Sequence, residues 1–345
     1  MDRWESIDRV GAGSYRFRMR NTRSQVCVVF AVCAALIGGC VPAGVASPQR
    51  RAQAVVLTDQ GESRRATGDM EGALDSFQEA LAANPGHVPA HIGTGDVYRV
   101  RGEFQKAEES YGKARELEPT SFDANQKLGV LYQLTRRVRE AIDFYLNALM
   151  IDPASFEANS NLAAAFSQLG EPGQARPYAE RAAQLKPDSQ PVWLNLASIY
   201  IALGRDDLAI DAYRSAADTG ELSPGDTMRL AEAQLRCGHH ERAVNVLEAL
   251  IRREPGNGAA HERRGYALFR LLRFEESIAA YGRALEIDGG DTAALNGLGV
   301  NKMVLALRRN PPDAGLKEEA LEAWRESLRV KPDQLKIVDL LARYR

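Results

Sequence analysis

The sequence predicts an all-α solenoid of about eight stacked helix pairs, closed by a C-terminal capping helix, and three observations carry that prediction. A 34-residue period runs through most of the chain: GALDSFQEAL at 72–81 is followed in register by KAEESYGKAR at 106–115, EAIDFYLNAL at 140–149 and LAIDAYRSAA at 208–217. Apolar residues inside each period fall three and four apart, as on one face of a helix. Small residues recur at fixed places, which asks for close approach of two helix backbones.

Within one period two helices are legible. In FDANQKLGVLYQL (122–134) the apolar groups Leu128, Leu131 and Tyr132 share a face. A polar break follows, then a second helix from Glu140 to Met150. Pro153 ends it, because proline lacks the amide hydrogen and clashes with the preceding turn. The first helices carry Gly61, Gly95, Gly129, Ala163, Ala197, Ala231, Gly265 and Gly299 in register. Glycine costs about 1 kcal/mol relative to alanine inside a helix, so its repetition implies a packing role. The second helices carry a small residue, then an aromatic at Phe77, Tyr111, Tyr145, Tyr213 and Tyr281, then alanine. Gly68, Gly102, Gly170, Gly204 and Gly238 fall between the helices, where a left-handed residue ends the first one.

This order of small residue, aromatic, alanine and proline resembles the tetratricopeptide repeat family. The resemblance covers about 54–334 and implies a right-handed superhelix of eight units, at 54–87, 88–121, 122–155, 156–189, 190–223, 224–257, 258–291 and 292–334. Trp193 stands where that family's motif often has tryptophan. Three departures occur. The fourth unit has Ala179 at the aromatic place, Tyr178 one residue early and Pro177 inside the second helix. The seventh has Gly289 for proline. The eighth carries about nine extra residues (RRNPPDAGL, 308–316), read as a tolerated surface loop, before Ala320, Trp324 and Pro332 restore the pattern. Residues 335–345 read as the capping helix.

The N-terminal segment reads as an address. Arg16, Arg18, Arg20 and Arg23 precede VCVVFAVCAALI (26–37), an apolar run too short to span a bilayer, which takes about 20 residues. It fits the core of a signal peptide covering 1–39, with Met19 an alternative start to Met1. Ile37-Gly38-Gly39-Cys40 resembles a bacterial lipobox, which implies lipidation of Cys40 and export to the envelope on a lipid anchor. Val41, rather than aspartate, follows Cys40, which points to the outer membrane. Residues 41–53 read as a tether between lipid and solenoid.

Composition narrows the function. The formal charge is −2, of which 1–39 contributes +3, leaving −5 for the remainder. That balance argues against a nucleic-acid binder, which shows a basic stripe. Four cysteines are present. Cys27 and Cys33 fall in the leader, Cys40 is the lipidation site, and Cys237 stays as a lone thiol. Cys237-Gly238-His239-His240 lacks the second ligand pair of a structural metal site. His91 and His261 share a repeat position with Asn125 and Trp193 and read as packing residues. No nucleotide-binding, serine-hydrolase or zinc-protease motif occurs. The reading is therefore of a non-enzyme without cofactor or metal.

Function then falls to the surface. In the family resembled, first helices line a concave groove that accepts a partner peptide or helix. Carried over by position, Asn161, Asn195 and Ser198 offer polar groups to an extended backbone. Tyr266 joins Leu235, Phe269 and Met303, the last three recurring at 34 as an expected apolar strip. The lysine–asparagine clamp with which some members hold a terminal carboxylate is absent: Thr58, Ile92 and Gln126 stand at its first basic position. The expected activity is a protein-interaction scaffold or adaptor at the cell envelope, with a protein or peptide partner. The alternatives are a pilotin-like or polysaccharide-export assembly lipoprotein, and a homo-oligomeric spacer using the apolar C-terminal end.

Overall fold

A computed structural model of the chain describes residues 46–344. The leader, the lipobox and Cys40 lie outside the described residues. Seventeen helices, and no strand among the described residues, follow one another as antiparallel pairs. The pairs are α1 (Pro48–Ala66) with α2 (Met70–Ala83), α3 (Val88–Val100) with α4 (Phe104–Leu117), and α5 (Phe122–Leu134) with α6 (Val138–Ile151). Next come α7 (Phe156–Gln168) with α8 (Pro172–Leu185), α9 (Gln190–Ala202) with α10 (Asp206–Thr219), and α11 (Pro224–Arg236) with α12 (His240–Arg253). The last are α13 (Gly258–Arg270) with α14 (Phe274–Ile287), α15 (Thr292–Arg308) with α16 (Ala314–Val330), and the capping helix α17 (Leu335–Tyr344). Each helix packs on its chain neighbours, so the core is built locally between adjacent pairs.

The small residues of the first helices exist to receive the rings. A Cβ added to Gly129 would stand 2.5 Å from Cε1 of Tyr145, and one added to Gly95 would meet Tyr111 at the same distance. Phe77 lies between Gly61 of its own pair and Gly93 of the next; Tyr281 lies likewise between Gly265 and Gly297. Each ring is fully or almost fully buried. The fourth pair solves the same problem differently. With alanine at 163 and 179, Phe166 stacks on Tyr178 at 5.9 Å, and the aromatic bulk moves one residue over. Pro177 sits within α8 without ending it, and the helix runs through to Leu185.

In the first seven pairs the turn is made by a left-handed residue. Gly68, Gly102, Gly170, Gly204 and Gly238 have φ between 68° and 86°, while Arg136 and Leu272 hold the same conformation at φ 66° and 62°. For these two the Cβ brings a strain of about 1–2 kcal/mol.

The turn between pairs is held by a clip that reassigns two of the expected packing residues. His91 Nε2 donates to the Pro85 carbonyl at 2.9 Å, and His261 Nε2 to that of Pro255 at 3.1 Å. Trp193 Nε1 donates to Pro187 at 2.8 Å, and Asn125 and Asn159 Nδ2 to Pro119 and Pro153 at 3.2 and 3.3 Å. In the first seven units, every proline at this repeat position thus has an N–H six residues on that caps its carbonyl. Where the proline is missing, at Glu221 and Gly289, the position six on is Thr227 or Leu295, and no such clip forms.

Two boundaries differ from the sequence reading. Helix α1 starts at Pro48, inside the expected tether, because Ser47 caps it and proline suits the first helical turn. Of the extra residues of the eighth pair, 309–313 form an exposed turn and the rest extend the two helices. They lengthen α15 to 17 residues from the usual 13 and α16 to 17 from the usual 14, leaving a turn only two residues longer than elsewhere. The predicted cap is present: Ile337 and Leu341 pack with Met303, Leu321 and Trp324.

Replacing Gly129 by valine should force the Tyr145 ring and the two helices apart and lower stability by about 2 kcal/mol. Thermal unfolding followed by circular dichroism should show a lower midpoint with full helical signal at low temperature. An unchanged midpoint would mean that the ring steps aside freely.

Candidate functional site

The concave face follows from which helices touch. First helices of successive pairs contact one another at α1–α3, α3–α5, α5–α7, α7–α9, α11–α13 and α13–α15, whereas among the described residues no second helix makes comparable contact with the next second helix. In a curved stack the more closely spaced row is the inner one, so the odd-numbered helices line the groove. The row loosens at one place, α9–α11, which falls short of such contact. There α10 ends at Gly220 in extended conformation without a capping bond. The linker is held instead by side chains: Gln190 Nε2 donates to the carbonyls of Ala216 and Glu221, and Arg253 to that of Leu222.

A column of donors runs along the groove floor at 34-residue intervals: Lys127, Asn161, Asn195, Arg229 and Arg263, on α5, α7, α9, α11 and α13. Each lies 31 residues after a residue of the preceding first helix, in turn Asp96, Val130, Ala164, Ser198 and Glu232. The two end members are neutralised across that step. Lys127 Nζ donates to both carboxylate oxygens of Asp96 at 2.9 and 2.8 Å, and Arg263 Nε to Glu232 at 3.3 Å. Asp96 is buried and also accepts from the Tyr111 hydroxyl at 2.6 Å, so ring packing and groove charge meet in one bond. Burial, then the Asp96 charge, push the Tyr111 hydroxyl far above its ordinary pKa.

The middle of the column is open. Asn161 and Asn195 are half-buried, and neither carboxamide enters a side-chain hydrogen bond among the described residues. Ser198 is exposed on α9 and donates only to its own helix, at the Leu194 carbonyl, 3.0 Å. Asn161 and Asn195 thus hold equivalent repeat positions on α7 and α9, and Ser198 follows Asn195 by three residues on α9. The apolar strip is corrected. Leu235 and Met303 are 8% and 3% exposed and belong to the core, Leu235 with Val244 and Leu268, Met303 with Leu321 and Trp324. Met303 packs on α16 and α17, whereas Leu235 packs on α12 and α13 and shows only a small part of its side chain at the groove. Phe269 is half-buried and packs edge-on against Phe274 at 5.9 Å, so a charge placed there would report on packing rather than on binding. Tyr266 alone of the four is exposed, its hydroxyl accepting from Arg270.

The cations and acids of the floor were not singled out from sequence, although the 31-residue pairing of opposite charges is a signal that finds them. Between α11 and α13 they surround a cleft of about 390 Å³ lined by Glu232, Leu235, Arg236, Glu262, Arg263 and Tyr266. Arg236 is committed to Asp206 through two bonds of 2.8 and 2.7 Å. Glu262 is buried beside Arg263, yet burial outweighs that attraction and, with Asp291 and Glu232 nearby, raises its carboxyl pKa. Cys237 is half-buried at the end of α11, and burial, with Asp206 and Asp207 nearby, pushes its thiol pKa up, which disfavours the thiolate.

Comparison with known proteins agrees with this architecture. The family signature of the tetratricopeptide repeat matches residues 58–121, 95–156, 166–224 and 228–292, well over half of the chain. A curated relative, the small glutamine-rich tetratricopeptide repeat-containing protein 2 of Mycosarcoma maydis, is 31% identical over 98 residues, and the chain spans only 28% of its length. Among solved structures, a chain of the Naa15/Naa10 complex bound to HypK-THB superposes with a TM-score of 0.54 at 18% identity, over 85% of this chain and 44% of that one. The Pseudomonas aeruginosa pilF protein superposes with a TM-score of 0.53 at 21% identity, over 62% of this chain and 97% of its own. At these identities the two structures establish the shared fold.

The raised Glu262 pKa has a signed consequence. An acid whose folded-state pKa exceeds its unfolded value, here 4.5, contributes most below that value and loses its contribution as pH rises past it. Glu262→Gln should therefore gain stability relative to the parent on going from about pH 4 to about pH 7. Denaturant midpoints at the two pH values measure this, and an equal difference at both would show that Arg263 compensates the buried charge fully.

Proposed function

Because the chain belongs to the tetratricopeptide repeat family, we propose that it works as a non-catalytic adaptor that holds an extended segment of a protein partner in its concave groove. What supports this reading is the run of open donors at Asn161 and Asn195 in a column whose end members, Lys127 and Arg263, the protein neutralises itself. A carboxamide that is half-buried and unbonded is suited to the alternating donors and acceptors of a peptide backbone. Replacing Asn161 and Asn195 together by alanine should weaken partner capture at least about tenfold, the scale of two lost hydrogen bonds, while the unfolding midpoint stays within about 1 °C. Crosslinking in intact cells followed by mass spectrometry identifies the partner whose yield is measured. Capture unaffected by the double substitution would reject the groove, and crosslinks solely between copies of this chain would favour the oligomeric spacer.

The adaptor is anchored to the cell envelope by lipid on Cys40, on the outer membrane. The lipobox-like Ile37-Gly38-Gly39-Cys40 supports this. A lipid anchor confines the groove to a thin layer, so a modest intrinsic affinity suffices to keep a membrane partner occupied. Cys40→Ser should move the protein from the membrane fraction to the soluble fraction and abolish labelling by a palmitate analogue. Retention in the membrane without label would replace lipidation by another mode of attachment.

A further inference from the structure

Three places along the solenoid share one register of residues, and two of them each lack a member. In the second pair, Tyr111 from α4, Asp96 from α3 and Lys127 from the next first helix form a closed set: hydroxyl and ammonium both bind the carboxylate. In the sixth, Leu247 replaces the ring, but Glu232 still pairs with Arg263 across the same step. In the fifth, 102 residues after the second in every member, stand Tyr213, Ser198 and Arg229. Ring and cation are kept; serine stands where the carboxylate would be.

The consequences are visible in the side chains. Tyr213 is fully buried, and its hydroxyl has no hydrogen-bond partner. Ser198 and Arg229 stand close enough to influence that hydroxyl, but neither reaches it in bonding geometry. An unpaired buried hydroxyl costs about 1–3 kcal/mol, so the site holds a reserve that an acceptor would release. Arg229 is 61% exposed and pairs only with Asp226, one turn earlier on its own helix, at 3.3 Å. Exposed pairs of this kind contribute little and give way readily. The site also lies at α9–α11, where the row of first helices is loosest.

Resting on the groove reading above, we propose that the slot between Ser198, Tyr213 and Arg229 receives a carboxylate of the bound partner. That carboxylate takes the place which the protein's own Asp96 fills three repeats earlier. It accepts from the Tyr213 hydroxyl, Ser198 Oγ and the Arg229 guanidinium, while Asn195, one turn before Ser198, is placed for the adjoining peptide backbone. The set differs from a terminal-carboxylate clamp of lysines and asparagines, since its central donor is a hydroxyl brought through from the second helix.

The test uses fluorescein-labelled hexapeptide pools carrying glutamate at one fixed position, the same pools with glutamine there, and each with a free or an amidated C-terminus. Fluorescence anisotropy should show the glutamate pool binding about tenfold tighter than the glutamine pool, the worth of one charge-assisted bond. If amidation instead removes the advantage, the carboxylate is terminal. Either preference should vanish in Arg229→Gln. Ser198→Asp should also abolish it, and at the same time raise the unfolding midpoint by supplying the carboxylate internally. Acid and amide pools bound alike would overturn the proposal, as would a lowered midpoint for Ser198→Asp. If no pool binds, the groove reading falls, and the slot is still judged by the Ser198→Asp midpoint.

Discussion

The ring packed against a glycine-bearing helix is the constraint on which the rest of the solenoid depends. With no Cβ at Gly95, Gly129 or Gly265, the first helix lies directly on the face of the ring from the second. This fixes the distance and rotation within a pair. Where a ring also meets the next pair, as Phe77 meets Gly93 and Tyr281 meets Gly297, it fixes the step between pairs as well. The helical cost of glycine, about 1 kcal/mol each, is offset by burial of a whole aromatic side chain, worth about 2–3 kcal/mol. Because every pair touches only its neighbours, an error at one ring propagates as a change in pitch rather than as loss of fold.

The same rings connect the core to the groove. A tyrosine on a second helix passes beside the small residue of the first, and its hydroxyl ends near the concave face. Tyr111 reaches Asp96 there, and Tyr145 reaches Gln133 at 2.9 Å. A buried hydroxyl needs a partner, so packing on one side dictates chemistry on the other. The 31-residue step between floor residues then sets whether a cation is neutralised within the protein or left for a partner.

Much of the fold was legible because a repeat multiplies a weak signal: the alanine–aromatic–alanine–proline order predicts both helices of a pair and their turn. What escaped the sequence has physical causes. His91, Asn125 and Trp193 look unrelated as packing residues, yet each carries an N–H that can reach the Pro85, Pro119 or Pro187 carbonyl, so their common property is a donor and not a shape. Leu235 and Met303 sit about one residue from the groove face, and a 100° rotation per residue decides between floor and core. Of the residues 308–316, read as a loop, only 309–313 form the turn, with Pro311 and Pro312 in it. Asp313 caps α16 with bonds to the Gly315 and Leu316 amides, and the residues beyond it continue a helix. Of the candidate site, Asn161, Asn195 and Ser198 are proposed from repeat position alone, while the flanking cations emerge only when residues 31 apart are compared.

The irregularities of the array cluster, and this is informative about where selectivity resides. The fourth pair loses its central ring, and Pro177 stands in α8. The fifth keeps its ring with an unpaired hydroxyl, and its linker to the sixth lacks the clipping proline. A stack of identical pairs would repeat one surface at every step and could not fix the register of an extended partner. Here the open amides of Asn161 and Asn195 adjoin Arg229, whose pairing is an exposed contact with Asp226 on its own helix, followed by Arg263, paired across the step to Glu232. Backbone-directed groups set how a chain lies in the groove, and one exposed charge sets how far along it lies. Repetition builds the scaffold, and the breaks in repetition supply direction along it.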